Sequence, residues 1–441
     1  MAKPVVAVVG RPNVGKSTFF NYLSGRRISI VEETPGVTRD RIYSDVEWRG
    51  RTFALVDTGG IEPFSADEIA GQMRFQAQAA VESADAVVFM VDVRDGLTAA
   101  DEEVADLLRK SGKPMVVAVN KADTPGPMPA QAFEFFDLAM GDVHTVSSIH
   151  GLGMGDLLDA IFDMLPPESG DEGPEGAIRI AVVGKPNVGK SSFANKALGE
   201  ERMITSDVPG TTRDAVDIEC TRGGDRFIFI DTAGIRRRSK VTASIERYSV
   251  MRAWSAIERA DVCLLMVDAQ EGVTEQDARI AGYAHDAGKA SAVLVNKWDL
   301  IAKDTGVAEK YRDGVLTKLG FMRYAPVQFI SALTGQRVES VFGLVRGIYA
   351  NASFRVPTGL LNDILIEAMS TAQPPSDKGK RLKIYYMSQV GIRPPTFVTF
   401  VNDMSLMHYS YARYIENSLR RAFRFEGTPI RLIARERGDR A

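Results

Sequence analysis

The chain has 441 residues, 45% of them hydrophobic and 25% charged, with a formal net charge of −3 and a mean hydropathy of −0.09. That length exceeds one ordinary domain of roughly 100–200 residues, and the composition excludes disordered, collagenous and fibrous classes. Apolar runs such as Val5–Val9 and Ala86–Val91 fall short of the roughly 18 residues that cross a bilayer, so no membrane partner is expected.

Met1-Ala2-Lys3 leads straight into an apolar run with no charged-then-apolar leader, which predicts a cytoplasmic protein. The two cysteines, Cys220 and Cys263, sit in strand-like stretches and read as inert buried thiols of a reducing compartment. The four histidines (His144, His150, His285, His408) have no metal-ligand spacing and are assigned no chemistry.

In chain order, Val5–Val9, Phe53–Val56, Ala86–Val91 and Met115–Val119 are short apolar runs separated by helix-length segments. Such runs predict strands of a mostly parallel sheet covered on both faces, a doubly wound α/β domain. An internal repeat then doubles it. Gly10-Arg11-Pro12-Asn13-Val14-Gly15-Lys16-Ser17, followed by Thr18, recurs 174 residues later as Gly184-Lys185-Pro186-Asn187-Val188-Gly189-Lys190-Ser191, followed by Ser192. Thr38-Arg39-Asp40 recurs as Thr212-Arg213-Asp214, and Asp57-Thr58-Gly59-Gly60-Ile61 as Asp231-Thr232-Ala233-Gly234-Ile235, at the same offset. Asn120-Lys121-Ala122-Asp123 recurs as Asn296-Lys297-Trp298-Asp299, 176 residues on. Four motifs in one order at near-constant spacing mean a duplicated domain.

Pro166–Gly176, rich in Pro, Gly and acid, reads as an exposed linker. Past Arg355 the pattern becomes helix (Gly359–Thr371), strands (Arg381–Ser388, Thr396–Val401), amphipathic helix (Tyr409–Phe425) and strand (Pro429–Arg435), a small α+β domain. The expected division is residues 1–165, a linker 166–177, residues 178–354 and residues 355–441. The last segment carries 14 Lys and Arg against 8 Asp and Glu, a charge of +6 that leaves −9 on the rest. A basic end on an acidic body invites a nucleic-acid reading.

Each Gly-x-x-x-x-Gly-Lys-Ser follows an apolar strand and opens a helix, the context of a phosphate-binding P-loop. Its N–H groups and the helix N-terminus form an anion cradle. Lys16 and Lys190 are expected to reach the β/γ-phosphates, while Ser17 and Ser191 ligate Mg²⁺. Asp57 and Asp231 end strands where they can hold the hydrated Mg²⁺, and Gly60 and Gly234 can sense the γ-phosphate. Thr38 and Thr212 are expected to close over Mg²⁺ in the triphosphate state.

The base is read by Asn-Lys-x-Asp. A carboxylate at Asp123 or Asp299 accepts from the N1–H and exocyclic amine of guanine, donors that adenine lacks, which argues for GTP over ATP. The Lys121 and Lys297 stems can lie along the base, and Asn120 and Asn296 can tie this loop to the P-loop. Ser147-Ser148 and Ser331-Ala332 stand where backbone N–H groups can meet guanine O6.

With these residues in place, the chain resembles the EngA/Der family of tandem-domain bacterial ribosome-assembly GTPases. Asn187–Ser192, Pro209–Asp214, Ala256–Asp261, Glu271–Asp277 and Arg393–Phe397 are especially similar. The resemblance implies two GTPase domains followed by a KH-like domain, assembly of the large ribosomal subunit, and nucleotide-dependent contact with its ribosomal RNA; no DNA partner is implied. Ile61 and Ile235 occupy the position where Ras-like GTPases place a water-orienting glutamine. The resemblance, with Asn13 and Asn187, implies K⁺ as the compensating charge; the alternative is that each asparagine only stabilises its loop.

Two readings stay open at the C-terminal end. No Gly-x-x-Gly clamp is present after Arg355, so the basic helix with Arg413, Arg420, Arg421 and Arg424 is either an RNA footprint or part of a domain that docks on its neighbours. Arg236–Lys240 is either a solvated loop or a switch element. The alternative to a ribosomal switch is a GTPase gating an RNA-modifying partner, and a third reading is a scaffold that holds GTP without turnover.

Overall fold

The computed structural model describes residues 3–24, 43–57, 77–78, 80–81, 84–166, 176–199, 217–231, 244–302, 304–377 and 379–436. The chain divides into two compact units, Met1–Glu172 and Gly173–Ala441.

The first unit runs β1 (Val5–Val9), α1 (Lys16–Ser24), β2 (Tyr43–Trp48), β3 (Arg51–Asp57), β4 (Ala86–Asp92), α2 (Ala99–Ser111), β5 (Met115–Asn120), β6 (Val143–Thr145) and α3 (Met154–Met164). Its six-stranded sheet has the order β2-β3-β1-β4-β5-β6, parallel except for β2 against β3. Every residue of β1 and β4 is buried, because helices cover both faces of such a sheet. Phe19, Phe20 and Leu23 of α1 pack with Leu157, Leu158 and Ile161 of α3 in one core cluster. Helix α2 begins at a capping box between Thr98 and Asp101 and ends at Gly112 with φ 65°, a start worth about 1 kcal/mol.

The second unit repeats that topology with β7 (Ala177–Val183), α4 (Lys190–Leu198), β8 (Ile218–Arg222), β9 (Asp225–Phe229), α5 (Ser244–Arg259), β10 (Val262–Asp268), α6 (Glu275–Asp286), β11 (Ala290–Asn296), α7 (Val307–Lys318), β12 (Val327–Phe329) and α8 (Ser340–Ser353). Its order, β12-β11-β10-β7-β9-β8, is the first sheet read from the other edge. Both cysteines are buried in its strands, Cys220 in β8 and Cys263 in β10, and burial pushes their pKa values up to about 11 and about 12.

The same unit continues as α9 (Thr358–Thr371), a hairpin of β13 (Ser376–Asp377) and β14 (Lys380–Arg381), β15 (Ile384–Gly391), β16 (Thr396–Val401), α10 (Tyr409–Phe423) and β17 (Arg431–Glu436). The strand expected over Arg381–Ser388 is displaced: Lys380 and Arg381 pair back onto Ser376–Asp377, and the long strand runs Ile384–Gly391. The helix expected to Phe425 ends at Phe423, because Arg424 turns left-handed (φ 51°) and drops Phe425 into the core beside Phe397. Strand β16 lies between antiparallel β15 and parallel β17.

This last domain docks on the sheet before it. Ser291 N donates to Gly427 O at 2.6 Å, and Gly427 N to Tyr324 O at 2.7 Å. Arg431 donates to Asp286 O at 3.1 Å, and the Arg420 guanidinium lies 5.0 Å over the Tyr324 ring. Arg420 therefore belongs to the docking reading rather than to a solvated face.

Candidate nucleotide sites

Each P-loop joins the buried end of a central strand to a helix. At Gly10 and Gly184 a Cβ would collide with the carbonyls of Met90 and Met266, so the turn closes only without a side chain. Gly15 and Gly189 have φ of 99° and 100°, where L side chains are strained. Lys16 Nζ donates to the Gly10 and Arg11 carbonyls at 2.6 Å each. Lys190 Nζ donates to Gly184 O at 2.6 Å and Lys185 O at 2.7 Å. Burial lowers both lysine pKa values to about 8, opposed by Asp57 in one case and Asp277 in the other. A phosphate at the loop would restore full charge to a cation held in this way.

Ser17 Oγ donates to Asp57 Oδ2 at 3.0 Å, with Asp57 buried at the end of β3. A hydroxyl and a carboxylate meeting at a phosphate cradle fit an oxygen-ligated Mg²⁺. Asp231 follows β9 with φ 53°, and its N–H is held by Asp217 Oδ1 at 3.0 Å. Asn13 and Asn187 are exposed and adopt φ of 66° and 64°. Val14 and Val188 are buried beneath the loops, and Pro12, Thr18 and Ser192 lie outward.

The base end is built twice with one bolt. Asn120 Nδ2 donates to Val14 O and Asn296 Nδ2 to Val188 O, both at 2.7 Å. Their Oδ1 atoms accept from Ser148 N at 3.0 Å and Ala332 N at 2.8 Å. The hydroxyl of Ser148 adds a bond to Asn120 Oδ1 at 2.9 Å, which Ala332 cannot. Each asparagine thus holds P-loop and base loop together. Lys121 and Lys297 pair with Asp92 and Asp268 at 2.5 Å, and the Ala122 and Trp298 amides donate to Val146 O and Ile330 O at 3.1 Å. The Trp298 ring packs 4.2 Å from Phe329 and 5.4 Å from Tyr311, so it braces the loop.

The two carboxylates differ. Ser147 Oγ donates to Asp123 Oδ1 at 2.5 Å and Arg94 to Oδ2 at 2.6 Å; the hydroxyl first, then the guanidinium, hold this carboxyl below the usual range. Among the described residues Asp299 Oδ1, which is buried, has no hydrogen-bond partner, and Ser331 Oγ accepts from Thr334 N instead. Behind the P-loops, Arg11 grips both oxygens of buried Asp101 at 2.9 and 3.0 Å, whereas Lys185 pairs with Glu271 and leaves Asp277 Oδ1 unpartnered.

Thr38, Thr58, Gly59, Gly60, Ile61, Thr212, Thr232, Ala233, Gly234, Ile235 and the Arg236–Lys240 run lie outside the described residues. Sequence reasoning missed Arg94 on the base carboxylate and the exposed Ile149 and Leu333 beside the Ser-Ser and Ser-Ala pairs. Comparing the repeats position by position would have found them: Ile149 and Leu333 keep one place, and Arg94 becomes Gln270.

The chain is similar to known proteins over its whole length. The family described as 50S ribosome-binding GTPase matches residues 5–121 and 179–297, and the KH-domain-like family of EngA bacterial GTPase enzymes matches 355–435. GTPase Der of Acetivibrio thermocellus is 64% identical over 99% of both chains, and that of Ruminiclostridium cellulolyticum 62% identical over the same share. Among solved structures, an Aquifex aeolicus Era variant bound to GDP.AlF4- is 29% identical over 38% of this chain and 59% of that one, with a TM-score of 0.31.

Proposed function

This chain belongs to the Der (EngA) family of tandem-domain GTPases, and on that premise we propose that its two nucleotide sites switch its affinity for the large ribosomal subunit and ribosomal RNA during assembly. It binds GTP and hydrolyses it to GDP and phosphate. The observation that carries the reading is the paired bolt: Asn120 and Asn296 each join a phosphate loop to a base loop through equivalent backbone partners. The relatives match over the whole length, which favours this role over gating a separate RNA-modifying enzyme. We take the G domains as residues 1–165 and 178–354, the acidic linker as 166–177 and the KH-like domain as 355–441, in a cytoplasmic protein.

At each site the loop N–H groups and Lys16 or Lys190 hold the phosphates and favour charge that builds on the leaving oxygens. Ser17, Asp57 and Thr38, or Ser191, Asp231 and Thr212, would hold Mg²⁺, which supplies countercharge between the phosphates. Gly60 and Gly234 read the γ-phosphate through their amides. The side chains of Ile61 and Ile235 can neither donate nor accept a hydrogen bond, so they cannot orient water as a glutamine side chain would. Asn13 and Asn187, fixed in left-handed turns at the loop mouth, would offer side-chain carbonyls to K⁺ as the further positive charge.

The ribosomal reading is tested by sedimenting the full chain with purified large ribosomal subunits in GDP, GTP and a non-hydrolysable GTP analogue. Co-migration that depends on the nucleotide supports it. Absence of co-migration in all three states contradicts it.

A further inference from the structure

Within the second unit, an open cavity of about 610 Å³ lies between the second G domain and the C-terminal domain. Arg312 on α7 and Arg323 ahead of β12 line it from one side, Arg420 and Arg424 at the end of α10 from the other, and Glu426 is the single carboxylate in the lining.

The four arginines are not equivalent. Arg420 is fully committed: its Nε donates to Glu416 at 2.8 Å, and Nη1 donates to the Phe425 and Thr428 carbonyls at 2.9 Å each. Arg312, Arg323 and Arg424 are exposed, and among the described residues none of them makes an ion pair; Arg312 lies 5.9 Å over the Phe329 ring. Arg424 also holds φ 51° at the helix end, a conformation normally given to Gly or Asn. Backbone strain held on a charged residue at a cavity is characteristic of ligand-binding positions. Convergent like charges repel unless an anion joins them, and the guanidinium fork matches phosphate oxygens two at a time.

We propose that this cavity binds clustered phosphate groups, carried by a single-stranded RNA backbone or by a free nucleoside oligophosphate. For the RNA source the proposal rests on the ribosomal reading above and deepens it. Because both domains contribute, a ligand here recognises their docked arrangement, and Arg420 acts as the frame that presents Arg424.

The test uses the full chain with both P-loops saturated with GDP. Two probes are titrated at several salt concentrations: a labelled mixed-sequence 12-nucleotide single-stranded RNA, followed by anisotropy, and inorganic tripolyphosphate, followed by calorimetry. The variant Arg312→Gln/Arg323→Gln/Arg424→Gly removes the three cations that make no ion pair; none of them lines a P-loop or a base loop, so GTP turnover should stay as in the parent, and relief of the left-handed residue should keep thermal unfolding at or above the parent's. We expect at least about a tenfold loss for the RNA and a log K against log salt slope smaller by about 2, given roughly 0.7 per phosphate contact on single strands. The all-lysine variant at the same positions should retain most of that slope while losing affinity. Loss of RNA binding alone identifies RNA as the source; loss of tripolyphosphate binding as well opens the site to free oligophosphates. Equal affinity and slope in parent and triple variant for both probes, or no binding of either probe to the parent, overturns the proposal. Co-sedimentation of the parent with ribosomal subunits is scored separately, so a failure of this site and a failure of the ribosomal reading are distinguishable.

Discussion

The Arg94 guanidinium stands 2.6 Å from Asp123 Oδ2, on the carboxylate that is proposed to read guanine. Its counterpart in the second unit is Gln270, and there Asp299 Oδ1 has no partner among the described residues. Guanine offers the same kind of paired N–H edge as a guanidinium, so base and arginine compete at the first site only. Replacing Arg94→Gln is expected to raise GDP affinity at the first site about two- to fivefold, the worth of an exposed ion pair of up to about 1 kcal/mol. Fluorescent-GDP binding in a Lys190→Ala background isolates that site. A fall in affinity would make Arg94 a support for Asp123 instead.

A methyl group at Gly15 or Gly189 should silence one site each. The Cβ would strike the amide of Asn120 or Asn296, the atom that holds the two loops together, at a φ near 100° that already strains any L residue. Gly15→Ala is expected to weaken nucleotide binding at the first site at least tenfold and to cost about 1–3 kcal/mol of stability. Thermal melting with and without GDP checks it: the GDP-induced stabilisation of the first unit should vanish while that of the second persists.

Much of this is legible in the amino-acid sequence. Apolar runs such as Val5–Val9 become buried parallel strands because nothing polar interrupts them, and Asn-Lys-x-Asp marks Asn120 and Asn296 as ties to the P-loop, where the structure shows them bonded to the Val14 and Val188 carbonyls. What was not legible depends on partners remote in sequence. Arg420 looked like one cation on a basic helix, but Tyr324 and the Phe425 and Thr428 carbonyls claim it. The start of β15 was misplaced because Lys380 and Arg381 had a local hairpin partner that alternation of residue types does not reveal. Arg94 carries no periodicity and shows itself only when its carboxylate is seen.

Acid should loosen the second unit through His285. Its Nδ1 lies 2.9 Å from Tyr324 Oη; burial first, then Arg420 and Arg431, lower its pKa to about 4. The unfolded histidine takes up its proton near pH 6.5 and the folded one only near 4, so the unfolded state gains between them. The stability contributed by neutral His285 is complete above about pH 6.5 and falls by roughly 2–3 kcal/mol on going to pH 4.5. Urea unfolding at pH 7 and 4.5 should show a larger loss in the parent than in His285→Gln. Equal losses would mean that His285 does not carry the effect.

Potassium should accelerate turnover. Asn13 and Asn187 share one left-handed pose at equivalent places in the two loops, and each side-chain carbonyl can serve as a cation ligand. Phosphate release at equal ionic strength is expected to be faster in KCl than in NaCl, and changing both asparagines to Ala should remove that difference while GTP binding persists. Equal rates in the two salts for the parent would return the search for catalytic charge to the switch segments.

Under the proposed function one chain carries two guanine sites, each read by its own aspartate. Calorimetric titration of GTP into the parent, Asp123→Asn, Asp299→Asn and the double variant counts those sites directly. Exchanging the carboxylate for an amide presents a donor to the donors of guanine and should cost at least about 1–3 kcal/mol at that site alone. The expected count is two, one, one and no high-affinity sites in that order. Two sites of unchanged affinity in both single variants would contradict it.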